Sequence, residues 1–87
     1  MAEYPCNFTY QSSDHTLHWE GTQGVDEYLI EYSTDTMHVK WDVAYSGGNE
    51  TSCQFNPTPG IVAVKGKQKS KDTWGGYGPV EYITVSP

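Results

Sequence analysis

His15 and His18 lie three positions apart beside Asp14, residue types that bind zinc when their geometry closes around an ion. On a strand edge that spacing sends the two side chains to opposite faces, and no CxxC or HxxxH pattern supports them. They read as two solvated histidines at a turn, with no metal ligand among them. Asp26 and Glu27 are adjacent carboxylates at a loop. Cleavage of a glycosidic bond needs two carboxyls at a fixed separation across a cleft, so these read as a solvated strand entry. Cys53 has inward parity beside Phe55, which marks a core thiol rather than a nucleophile. No glycine-rich loop precedes a helix, so no phosphate cradle is expected. The chain reads as a non-enzyme with no cofactor.

Other residue sets point to surfaces and modification. Trp74 and Tyr77 stand among glycines in Trp74-Gly75-Gly76-Tyr77-Gly78-Pro79. Large aromatics on a flexible loop supply buried area to a partner. Thr73 belongs to the same loop, and Thr22, Gln23 and Asp26 of the neighbouring loop are expected beside it. Together they form the partner-binding set. Lys65, Lys67, Lys69 and Lys71 alternate, and form a candidate site for an anion, a sulfated glycan or an acidic surface. Asn7-Phe8-Thr9 and Asn49-Glu50-Thr51 match the N-glycosylation acceptor pattern, whereas Asn56-Pro57-Thr58 is blocked by its proline. Cys6 and Cys53 are the only cysteines, open at this point to a disulfide or to two thiols.

Composition bounds the rest. The chain has 87 residues, one domain, with a net charge of −6 from 11 acidic and 5 basic residues. All five basic residues are lysines, and apart from the alternating four only Lys40 faces the 11 acids. An acidic body argues against nucleic acid as a partner. No run is long enough to span a membrane, and direct membrane insertion is not expected. Two sequons with two cysteines point to an extracellular or cell-surface setting, beside which intracellular, bacterial and phage-virion settings stand as alternatives.

The elements that position these residues follow from alternation with period two. Strands are expected over residues 5–10, 16–20, 26–33, 38–45, 51–55, 61–69 and 80–85. Cys6, Phe8 and Tyr10 are expected to share one face of the first. Leu17 and Trp19, then Tyr28, Ile30 and Tyr32, then Val39, Trp41, Val43 and Tyr45 form inward faces. In the sixth strand Val62, Val64 and Gly66 are expected inward, because the other parity would bury Lys65 and Lys67 unpaired. No stretch reads as an amphipathic helix. Seven short strands in a small chain describe an all-β, antiparallel, two-sheet sandwich, with residues 1–4 and 86–87 as tails.

Nearly the whole of residues 1–87 resembles a fibronectin type III domain, within the immunoglobulin-like folds. Leu17-His18-Trp19-Glu20 resembles that family's second strand and its core tryptophan. Tyr28-Leu29-Ile30-Glu31-Tyr32-Ser33 resembles the third strand. Thr51-Ser52-Cys53-Gln54-Phe55, with Pro57 and Pro59-Gly60, resembles the fifth strand and its corner, and Gly78-Pro79-Val80 the entry to the last. The sequence departs from the family at Ile61 and Val62, where a corner tyrosine is usual. An immunoglobulin domain fits less well, since Thr51 stands where a tyrosine should precede the second cysteine. Trp74-Gly75-Gly76-Tyr77 is also similar to the Trp-Ser-x-Trp-Ser signature of cytokine-receptor membrane-proximal domains, without its serines and with Tyr77 for the second tryptophan.

The resemblance implies that the first and fifth strands flank the second. Two strand spacings of about 9–10 Å exceed the roughly 7 Å Cα reach of a disulfide. Two reduced, buried cysteines are therefore favoured, unless the first strand leaves its sheet. The resemblance further implies a protein-binding or adhesion module of a larger receptor-like surface protein, with contacts on loops at one end. A passive spacer is the alternative, as is an accessory module of a bacterial carbohydrate-active enzyme or of a phage virion protein.

Overall fold

The computed structural model describes residues 4–35 and 37–87. Eight strands are found among them: β1 (Cys6–Gln11), β2 (Thr16–Glu20), β3 (Glu27–Ser33), β4 (Asp42–Gly48), β5 (Ser52–Gln54), β6 (Gly60–Ser70), β7 (Thr73–Trp74) and β8 (Glu81–Val85). They form two antiparallel sheets and no helix. One sheet has the order β1-β2-β5. The other runs β4-β3-β6, and β6 then pairs with both β7 and β8. The strand beyond the expected seven is β7, a two-residue return paired at Lys69↔Trp74 and Ser70↔Thr73.

The inner faces meet in an aromatic core, as a β-sandwich requires. Trp19 is at its centre, with ring centroids 6.2 Å from Phe8, 6.1 Å from Tyr28 and 5.3 Å from Tyr45. Tyr32 meets Phe55 edge-on at 5.0 Å. Val62, Val64, Ile83 and Val85 close the far side. The expected inward faces of the second, third and sixth strands are all present, with Gly66 buried under Pro5 and Ile30.

Two expected faces are corrected. The fourth strand starts at Asp42, not at residue 38. Ahead of it the Asp35 carboxylate accepts hydrogen bonds from the backbone N–H groups of Met37 (3.0 Å) and Val39 (3.1 Å). These bonds hold the carboxyl below its usual range and fold the segment into a loop. Val39 is 78% exposed and Val43 55% exposed, and Trp41 is half-buried outside the core. In β1 the pairing skips between Cys6 and Thr9, around Asn7 at φ 56°. Cys6 thereby falls opposite Glu20 and changes face, so it no longer shares one with Phe8 and Tyr10.

That bulge also decides the cysteines. Cys53 is opposite Leu17 and packs against the core, whereas Cys6 is opposite Glu20 on the outer face. The two thiols are free, on opposite faces of one sheet, and each is half-buried rather than buried. Burial raises the pKa of both, and Glu20 and Glu81 add to the effect at Cys6.

Candidate recognition surface

The returning chain after β6 explains where Trp74 and Tyr77 lie. Lys71 and Asp72 both have positive φ, 52° and 63°, the backbone signature of a tight two-residue hairpin turn. The chain then runs back along β6. Gly75 N–H donates to the Gln68 carbonyl and Gly78 N–H to the Gly66 carbonyl, each at 2.9 Å. Regular pairing resumes only at Val64↔Glu81, so residues 75–80 contain a bulge. Gly78 allows close approach here, since a Cβ on it would lie 2.5 Å from the Tyr4 ring.

Trp74 and Tyr77 therefore do not project from a flexible loop at the end of the sandwich. They lie on the outer face of the five-stranded sheet, 39% and 43% exposed. The lysines of β6 rise between them. Lys65 Nζ is 4.2 Å from the Trp41 ring centroid and 4.5 Å from that of Tyr77. Lys67 Nζ is 4.9 Å from Tyr77 and 5.2 Å from Trp74, and Lys69 Nζ is 5.7 Å from Trp74. Beyond Trp41 the row continues through His38, 6.1 Å away, to Tyr82, another 5.5 Å on. Each ammonium over a ring face contributes roughly 0.5–2 kcal/mol, according to its exposure.

Carboxylates of β3 complete the row. Glu27 and Glu31 are the cross-strand partners of Lys69 and Lys65. Lys69 Nζ is 3.0 Å from Glu27, which holds the ammonium above its usual range through a hydrogen bond and its charge. The Tyr77 hydroxyl donates to Glu31; that bond, burial and the carboxylate charge push its pKa up to about 12. The lysines singled out for anion binding are thus engaged with rings and carboxylates, except Lys71, which is exposed at the hairpin tip. Of the row, Trp41 was expected on an inward face, and His38 and Tyr82 carried no expected role. Trp41 was concealed by the apolar alternation of residues 39–45.

The other expected contact residues gather at the end of the sandwich. Thr22 and Gln23 line a shallow hollow of about 330 Å³ with Gly21, Gly24, Val25, Tyr28, Asn49 and Thr51. Burial raises the Tyr28 pKa, opposed by a hydrogen bond from the Thr22 backbone. Asp26 ties this turn to the hairpin: its N–H donates to the Lys69 carbonyl and its carboxylate accepts from Lys71 N–H, both at 2.8 Å. Thr73 is exposed on β7. The hollow and the lysine row are separate surfaces.

The two outer faces of the sandwich differ in kind. On the three-stranded sheet the row Thr9, His18, Ser52 crosses the middle, with Gln11, Thr16 and Gln54 beside it. Among the described residues, no exposed large apolar side chain belongs to that sheet. All of them lie on the five-stranded sheet or its loops: Trp74, Tyr77, Tyr82 and Ile61, then Met37, Val39, Val43 and Val80. No group of three or more His, Cys, Asp or Glu residues suited to a metal ion is found among the described residues. His15 is exposed, with Nδ1 2.9 Å from the Tyr10 hydroxyl, and His18 is half-buried. No protein-family profile matches this chain, and no curated protein does.

Proposed function

We propose that this chain is a fibronectin type III-like, noncatalytic module of a larger surface-exposed protein, and that it binds another protein. The strand order supports the domain type: first, second and fifth strands in one sheet, the rest in the other. The observation that carries the binding role is the sidedness of the sandwich. Among the described residues one outer face exposes no large apolar side chain, and the other collects the exposed aromatic and aliphatic side chains. Apolar patches rimmed by charge are the usual mark of a protein contact. The contact surface in this reading is the outer face of the five-stranded sheet, with the Lys71-Asp72 hairpin at its edge. A spacer is the second reading, favoured by the way the lysine row satisfies itself within the chain.

Multivalent display separates the two. A tetramer of the domain is applied to cells of its native host, against two variants. One carries Met37→Ser, Ile61→Ser and Tyr82→Ser on the apolar face; these side chains are 59–76% exposed, so the fold should survive. The other carries Thr9→Lys and Ser52→Lys on the polar face. A binding module retains adhesion in the second variant and loses at least tenfold in the first. No adhesion above background by any of the three proteins is the result expected of a spacer.

A further inference from the structure

Two sequons occur in the chain, and the structure treats them differently. Asn7 lies in the β1 bulge at φ 56°. Its Nδ2, the atom that would carry a sugar, donates to Glu20 Oε1 at 3.1 Å. Its backbone N–H donates to Glu81 Oε2 at 3.0 Å, and the next residue, Phe8, is buried and held by Glu81 Oε1. Thr9, the hydroxyl residue of that sequon, is fixed in the β1–β2 ladder opposite His18. Asn7 is itself exposed, but two carboxylates hold its amide and backbone N–H, and its sequon runs into a paired strand.

Asn49 stands in the turn between β4 and β5, outside both strands. Asn49, Glu50 and Thr51 are all exposed. No hydrogen bond holds the Asn49 side chain among the described residues. Glu50 N–H donates to the Tyr45 hydroxyl at 3.0 Å, which fixes the turn. Asn49 also forms part of the rim of the hollow lined by Gly21, Thr22 and Gln23.

We propose that Asn49 is an N-glycan acceptor, that Asn7 stays bare, and that the glycan lies over the hollow at the end of the sandwich. The inference rests on the reading of an exported module given above. In the transfer, Asn49 Nδ2 attacks C1 of a lipid-diphosphate-linked oligosaccharide brought by the host's transferase. The N–C1 bond forms as the C1–O bond to phosphate breaks. Nδ2 loses one proton to a base of the transferase, and the lipid diphosphate leaves with the C1–O electron pair. Both asparagines are exposed in the folded chain, but Asn49 stands in a turn with its side-chain amide unheld among the described residues, whereas the Asn7 amide is held by Glu20 and its Thr9 is paired in a strand. A glycan there covers Thr22 and Gln23 and leaves the outer face of the five-stranded sheet clear for a partner.

The test is secretion of the full chain from mammalian cells, with intact masses read before and after enzymatic deglycosylation. Wild type should carry one glycan, lost in Asn49→Gln and in Thr51→Ala but kept in Asn7→Gln. A second measurement compares amide exchange of the glycosylated and deglycosylated proteins, with slower exchange expected at residues 21–24 in the former. A glycan on Asn7, alone or beside one on Asn49, overturns the assignment, as does an unmodified secreted chain. Forced secretion isolates acceptor competence from native export. A bare chain from the native host that is glycosylated in this experiment would sink the exported reading and leave the acceptor assignment standing.

Discussion

Tyr77 joins the surface row to the sheet beneath it. Its hydroxyl is held by Glu31, and its ring stands between the ammonium groups of Lys65 and Lys67. Ionising the phenol would set one negative oxygen against another, so the folded pKa is raised to about 12. The unfolded value is about 10. Because the folded pKa lies above the unfolded one, the contribution is fully present below about pH 10 and is lost as pH rises toward about 12. Ultraviolet titration should therefore show one fewer late-ionising tyrosine in Tyr77→Phe than in the parent chain, with Tyr28, also raised by burial, unchanged. The alkaline fall in stability should be shallower in that variant. A Tyr77→Phe protein with as many late-ionising tyrosines as the parent chain would assign the shift to another residue.

At the scale of elements, the β6–β7 hairpin carries the Trp74 end of the row, and its turn is built from the wrong residues. A two-residue turn with positive φ at both positions favours Asn-Gly, yet Lys71 and Asp72 occupy it. Left-handed backbone costs an ordinary residue about 1–2 kcal/mol. The double substitution Lys71→Asn with Asp72→Gly should stabilise the fold by about 1 kcal/mol, read as a higher denaturant midpoint with an unchanged slope. The Asp26 clasp survives this change, since it uses the backbone of residue 71. The same turn shows why this element was hard to read. Lys-Asp carries no hairpin signal, and the glycines that follow imitate a flexible loop. Their N–H groups in fact extend the ladder along β6. By contrast the inward face of Val62, Val64 and Gly66 was legible, because burying lysine is too costly for the register to slip. The fourth strand was misread for another reason. Local capture of backbone N–H groups by Asp35 outweighs an apolar alternation at residues 39–43 that looks like a core strand.

Across the whole molecule, one residue of the five-stranded sheet closes the sandwich over the edge of the other. Glu81 of β8 gives one carboxylate oxygen to Asn7 N–H and the other to Phe8 N–H, both at 3.0 Å. Those donors lie in the β1 bulge, where the β2 ladder skips. Glu81→Ala leaves both without their acceptor. Charge-assisted bonds of this kind contribute about 1.5–3 kcal/mol each when shielded; because Asn7 is exposed and water weakens its bond, a combined loss of about 2–4 kcal/mol is expected, with faster amide exchange confined first to β1. Unchanged exchange at Asn7 and Phe8 would refute the clamp. The clamp also answers the edge problem of a small sandwich, since unpaired N–H groups on an outer strand invite pairing with another chain. Most of the core was readable from alternation, and the expectation that the first and fifth strands flank the second came from the family resemblance. The clamp, the bulge and the sidedness were not, because each depends on contacts between residues distant in the chain.

The three tryptophans divide between two environments. Trp19 is 4% exposed at the core centre, whereas Trp41 and Trp74 lie outside it against lysine ammonium groups. The intrinsic fluorescence of this chain is therefore two signals in one spectrum. A dissolved anionic quencher reaches only the outer pair, so docking on the lysine row and loosening of the core are distinguishable without a label.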